Sequence, residues 1–163
     1  MRPYIEMIPR LHLEVLCKVR TRLEGCPAPW AVTGSLGMAL QGVPVEVHDI
    51  DIQTDREGAY EIERRLAEFV VRPVCFSEAE RIRSHLGRLE IDDLQVEIMG
   101  DLQKRLEDGR WEEPVPIEPH RRWVEVEGVQ VPVLSLEYEL QAYLKLGRSD
   151  RAEMLRAWLS GRS

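Results

Sequence analysis

The sequence predicts an α+β fold, a small mixed β-sheet with helices packed on one side. Three observations carry that prediction. Apolar residues at helical spacing alternate with short strand-like runs along the 163 residues. Two pairs of such runs are separated only by turn residues, Asp92-Asp93 and Glu127-Gly128, as hairpins require. Glycine and proline then punctuate the helical stretches, at Gly25 with Pro27 and at Gly42 with Pro44.

Taken in order, Leu11 to Leu23 places apolar residues at 13, 16, 19 and 23, the face of an amphipathic helix. Trp30 to Thr33 reads as a short buried strand. Ser35 to Gln41 reads as a helix with Ser35 as its N-cap. Glu46 to Thr54 is a second strand, and Thr54-x-x-Glu57 a capping box opening a helix through Phe69. Val70 to Phe76 returns as a strand, with a turn at Ser77 to Glu80. Arg83 to Glu90 and Leu94 to Met99 form the first hairpin. Asp101 to Asp108 reads as a short helix ended by Gly109, and Pro114 to Pro119 as a loop. Arg122 to Val126 and Val129 to Val133 form the second hairpin. Two closing helices follow, Leu136 to Leu146 and Arg151 to Leu159, joined at Gly147.

Length, 44% hydrophobic and 31% charged residues predict one globular domain over residues 1–163. Its core would span about 28–101, with the second hairpin and helices at 120–160. No apolar run approaches a membrane span. Cys17, Cys26 and Cys75 are odd in number and widely spaced, which fits reduced thiols in the cytoplasm. A net charge of −7 argues against a protein that coats nucleic acid. The densest basic cluster, His120-Arg121-Arg122 beside Trp123, reads as a solvated strand entrance.

The chemistry concentrates in Gly34-Ser35, thirteen intervening residues, and Asp49-Ile50-Asp51-Ile52. Strand side chains alternate, so Asp49 and Asp51 share one face while the isoleucines point into a core. Two adjacent carboxylates repel unless a cation lies between them. Mg²⁺ takes oxygen ligands, commonly one or two carboxylates plus substrate phosphates. The pattern therefore points to metal-assisted phosphoryl or nucleotidyl transfer. In a later strand Glu97 alternates with Leu94, Val96 and Ile98, so it is the candidate third acid. Its rivals are weaker. Asp92 and Asp93 read as turn residues, and Glu90 lacks such good aliphatic flanks. Gly34 would let backbone approach a phosphate, and Ser35 at a helix N-terminus would offer N–H groups to an anion. A plain turn with an N-cap is the alternative for this pair. His48 would point opposite Asp49, in a packing role.

This arrangement resembles the nucleotidyltransferase superfamily, whose pattern is Gly-Ser or Gly-Gly, a spacer, Asp-apolar-Asp/Glu and a later acid. Thr33-Gly34-Ser35, Asp49-Ile50-Asp51 and Val96-Glu97-Ile98 match it, with the spacer at the long end. The phrases Gly34 to Pro44 and Val133 to Glu137 resemble small stand-alone bacterial members of toxin and abortive-infection type. The resemblance spans roughly residues 28 to 148. It implies a nucleotidyltransferase core and transfer of a nucleoside monophosphate from an NTP to a hydroxyl, with pyrophosphate leaving. Asp49, Asp51 and Glu97 would be both catalytic and metal-binding, for Mg²⁺ or Mn²⁺. Gly34, Ser35 and Lys145 would hold the nucleotide, Lys145 through the Leu-Lys-Leu of the closing helix. A snorkelling helix lysine is the alternative for Lys145. The acceptor could be a small molecule, an RNA end or a protein. A non-catalytic nucleotide-binding or interaction module of a toxin–antitoxin or defence pair, with an antitoxin partner, is the competing class.

Overall fold

The computed structural model describes residues 7–161. Helix α1 (Arg10–Arg22) precedes strand β1 (Trp30–Thr33), helix α2 (Gly34–Leu40), strand β2 (Ile50–Thr54) and helix α3 (Arg56–Arg65). Three long antiparallel strands follow, β3 (Val70–Glu78), β4 (Ile82–Ile91) and β5 (Leu94–Lys104). A second hairpin, β6 (Arg121–Val126) and β7 (Val129–Leu134), leads into helices α4 (Leu136–Lys145) and α5 (Ser149–Ser160). The seven strands form one mixed sheet in the order β3-β4-β5-β2-β1-β7-β6. Two neighbouring pairs are parallel, β2 with β5 and β1 with β7. The remaining pairs are antiparallel.

Strand alternation divides the sheet into two faces. Val32, Ile50, Ile52, Val96 and Ile98 bury one face against Leu16 and Val19 of α1, Leu36 of α2 and Ile62 of α3. Each fully buried aliphatic of this kind contributes roughly 1.5–3 kcal/mol. Helix α3 lies so close to β5 that a Cβ on Gly100 would sit 2.6 Å from the Asp55 carbonyl oxygen. Three helices thus cover one side, as the sequence predicts. Helix α4 is placed otherwise: Tyr138 packs with Ala31, Ile117 and Leu134 on the opposite face. Both hairpins turn where expected, with positive φ at Asp92 and Asp93 and at Glu127 and Gly128.

Four local expectations are corrected. Strand β2 begins at Ile50 rather than Glu46, because residues 43–48 form an irregular loop whose backbone is held by side chains. Helix α3 is capped by Asp55, whose carboxylate accepts the Gly58 N–H at 2.7 Å, while the Thr54 hydroxyl donates to the Pro29 carbonyl. Ser35 lies inside α2, which Thr33 precedes as N-cap residue without a side-chain cap. No helix forms over Asp101 to Asp108. Strand β5 continues to Lys104, and the Arg105–Trp111 bridge follows. A bulge makes this possible: Asp101 takes φ 50° and the β4–β5 register shifts between Arg83 and His85. The bulge also reverses the facing of the residues beyond it, so Lys104 turns to the face that carries Tyr138.

Candidate active site

The open face of the sheet carries one transverse row of polar side chains in register. Thr33 of β1 stands opposite Asp51 of β2, Asp51 opposite Glu97 of β5, Glu97 opposite Arg88 of β4, and Arg88 opposite Arg72 of β3. The parallel pairing of β2 with β5 is what brings Glu97 beside Asp51 across a separation of 46 residues. Asp49 lies one residue before β2, exposed, with its carboxylate accepting the Gln95 side-chain N–H at 3.0 Å.

Gly34 is required here by geometry. Its φ is +71°, and an added Cβ would lie 2.6 Å from Asp51 Oδ2. The glycine therefore seats the Asp51 carboxylate against the start of α2. Ser35 works beside it: its Oγ accepts the His48 backbone N–H at 2.9 Å. The His48 carbonyl accepts from His12 Nε2 at 2.6 Å. Both backbone groups of the residue before Asp49 are thus tied, one to α2 and one to α1. His48 itself is exposed in the loop, not packed as the alternation suggests.

Charge is crowded around Asp51. Burial pushes its carboxyl up to about 7, and Glu97, Asp49 and Glu139 push in the same direction. Glu139 of α4 is a site residue that sequence reasoning missed. It is 5% exposed and accepts hydrogen bonds from Thr33 Oγ at 2.6 Å and the Gly34 N–H at 3.1 Å. Burial raises Glu139 to about 7 against the opposing pull of those two donors and Lys104. One signal was available: Leu136, Glu139, Leu140 and Tyr143 share a helical face, and an acid on an apolar face is unusual.

The three predicted acids are brought together unequally. Asp49 and Asp51 flank Ile50, whereas Glu97 leans toward Arg88, with Oε2 3.7 Å from Nη2. Among the described residues no three Asp, Glu, His or Cys side chains form a ready-made metal cluster. The donor set still fits a hard divalent cation. Two oxygen-ligand carboxylates with excess negative charge suit an ion that completes its shell with substrate phosphates. Lys145 is not among them. Its Nζ pairs at 3.0 Å with Glu112, which also holds the buried Lys104 at 3.2 Å. Lys104 lies 5.3 Å from the centre of the Tyr138 ring, and the Tyr138 hydroxyl accepts from Gln53 two residues beyond Asp51. Among the described residues no helix is long and apolar enough to cross a membrane.

Comparison with known proteins agrees with this geometry. A crystal structure of a Thermotoga maritima chain assigned to the nucleotidyltransferases is 61% identical, with a TM-score of 0.83, and covers 95% of this chain and 96% of that one. A lincosamide antibiotic adenylyltransferase bound to lincomycin matches at TM-score 0.58 and 13% identity, over 88% of this chain and 95% of its own. The enzyme ANT(2'')-Ia in complex with adenylyl-2''-tobramycin matches at 0.59 and 14%, over 91% and 90%. At such identities these two speak for the fold alone. No curated protein matches. The family model for aminoglycoside-2''-adenylyltransferase matches residues 15–156, most of the chain, from within α1 into α5 and across all seven strands. The chain therefore belongs to the aminoglycoside-2''-adenylyltransferase family, within the nucleotidyltransferase superfamily.

Proposed function

We propose that this nucleotidyltransferase, acting as one catalytic module in the cytosol, moves a nucleoside monophosphate from an NTP to an acceptor hydroxyl. The observation that carries the reading is the seating of Asp51. Its carboxylate is fitted against Gly34 and crowded by Asp49, Glu97 and Glu139. A fold that merely needed stability would avoid that concentration of like charge.

Asp49 and Asp51 would hold Mg²⁺ or Mn²⁺, which supplies charge neutralisation for the triphosphate and the leaving pyrophosphate. Gln95 and the two ties on His48 fix the Asp49 carboxylate before any ligand arrives. At the start of α2, Ser35 would offer its backbone N–H and hydroxyl proton to the triphosphate, while the Gly34 N–H is held by Glu139 and Gly34 leaves room for close approach. Glu97 would accept the acceptor's hydroxyl proton. The acceptor oxygen forms a bond to the α-phosphorus as the bond from that phosphorus to the bridging oxygen breaks. The bond's electrons leave with pyrophosphate. Catalysis on this plan is mostly positioning and charge balance. Lincomycin and adenylyl-2''-tobramycin, bound in the two distant structures, make a small-molecule hydroxyl the first acceptor class to test.

The test is calorimetry with ATP, CTP, GTP and UTP, with Mg²⁺ and with EDTA, followed by labelled NTPs offered small molecules, bulk tRNA and cell extract. We expect binding only with metal, and label in an acceptor that Glu97→Gln suppresses. Equal binding in EDTA would overturn the metal reading. Nucleotide bound with metal but no label anywhere would overturn the transferase reading.

A further inference from the structure

The register row continues past the acids into two arginines, and the transfer scheme above gives them no task. Arg88 stands directly opposite Glu97, and Arg72 opposite Arg88, between two shifts of the β3–β4 register. Arg88 makes one loose ion pair and keeps donors over, and Arg72 faces solvent. Arg88 reaches Glu97 only at 3.7 Å through Nη2, beyond hydrogen-bond distance, and its buried Nε has no partner. Arg72 is exposed, and its side chain has no hydrogen bond or ion pair among the described residues. An isolated arginine on a strand is commonly a solvated surface charge. Two in register, one with an orphaned buried N–H, beside a carboxylate that would act as a base, make a different case. Like charges directly opposite across strands also destabilise a sheet.

From these residues we propose that the acceptor is a small phosphorylated molecule whose phosphate binds Arg88 and Arg72. The inference rests on the transferase reading of Asp49, Asp51 and Glu97. The order of the row assigns the sides. Gly34 and Ser35 adjoin Asp51 from β1, so the triphosphate belongs there, and Glu97 separates it from the arginines. Whatever supplies the hydroxyl near Glu97 extends over β4 and β3. Neighbouring strands lie about 4.8 Å apart, which sets the arginines roughly 5 and 10 Å from Glu97 along the row. A monosaccharide-sized acceptor with a phosphate across the ring from its reactive hydroxyl spans that distance. Guanidinium forks suit a phosphate's geometry and charge. The same two charges would oppose a polycationic acceptor such as an aminoglycoside.

The experiment uses the whole protein with Mg²⁺ and a non-hydrolysable NTP. A hexose phosphate, the parent hexose, tobramycin and a short RNA are titrated while the arginine Nε–H resonances are followed by NMR. We expect the hexose phosphate alone to shift the Arg88 resonance, and Arg72→Gln to weaken that binding at least tenfold. In turnover, Arg72→Gln should lower the preference for hexose phosphate over hexose at least tenfold, mainly through KM. Arg72→Lys should restore part of it. No shift with the hexose phosphate, equal shifts with hexose, or a preference for tobramycin or RNA would each overturn the proposal. Arg72 is exposed on β3, so its variants test binding with little risk to the fold. Loss of NTP binding in the same samples would instead count against the transferase reading itself.

Discussion

Replacing Asp51 with Asn should stabilise the metal-free protein, and the effect should grow with pH. Asp51 titrates at about 7 in the folded chain against an ordinary 3.8. A raised acid binds its proton more tightly when folded, so its contribution to stability is present at low pH. That contribution is lost as pH rises from the unfolded value through the folded one. The difference of 7 less 3.8 corresponds to at most about 4 kcal/mol once both states are ionised, at about 1.4 kcal/mol per unit. Between pH 5 and pH 7 it removes about 2 kcal/mol. Glu139, raised from 4.5 to about 7, removes a similar amount over the same window. The wild type in EDTA should therefore lose up to about 4 kcal/mol across that range, and Asp51→Asn only about half as much. Urea denaturation at several pH values measures both. Saturating Mg²⁺ should raise the wild-type midpoint at pH 7 and leave the variant's unmoved. A variant less stable than wild type at pH 8, or one with an unchanged pH slope, would refute the crowding of charge at Asp51.

Three further outcomes follow from the same geometry. Gly34→Ala places a Cβ 2.6 Å from Asp51 Oδ2 at a φ of +71°; it should cost about 1–2 kcal/mol for the backbone alone and weaken Mg²⁺-dependent NTP binding in calorimetry. Glu139→Leu strands Thr33 Oγ and the Gly34 N–H and should destabilise by about 1–3 kcal/mol per unpaired group, whereas Glu139→Gln, which keeps an acceptor oxygen, should cost less; denaturation of the two variants checks the ranking. Ser35→Ala combined with His12→Leu frees both backbone groups of His48. Its melting temperature should change little beside its NTP affinity, because the loop it releases carries Asp49.

The parts of this fold legible in the sequence are those where one chain segment decides its own structure. Strand β1 at Trp30–Thr33, both hairpin turns and the closing helices follow from alternation, turn chemistry and spacing over a few residues. The failures share a cause. Residues 43–48 carry an alternating pattern, yet Ser35 and His12, 13 and 36 residues away from His48, take the hydrogen bonds a strand would need. The stretch from Asp101 reads as a helix because its polar spacing permits one, but β4 offers a ladder and the bulge at Asp101 lets β5 extend along it. Propensity is a weak prior beside a waiting strand edge.

The same distinction explains the site. The facing of Asp51 and Glu97 was readable because a carboxylate among alternating aliphatics declares its face within its own strand, whereas Asp49 lies just before β2. Arg88 and Arg72 were not, because their relation to Asp51 exists only after β2 pairs with β5, β5 with β4 and β4 with β3; Glu139 was marked only as an acid on an apolar helix face. Register is the information missing from the sequence pattern, and it is what turns separate charges into a row. That row runs from negative at Asp51 to positive at Arg72 over a span of three neighbouring strand pairs. On the proposed reading a triphosphate with its metal would occupy the acidic end, where Gly34 admits the carboxylate. A second anion, if the acceptor carries one, would fit the basic end. The proposed chemistry between them would need a hydroxyl near Glu97, and the sheet's order leaves room there for an acceptor.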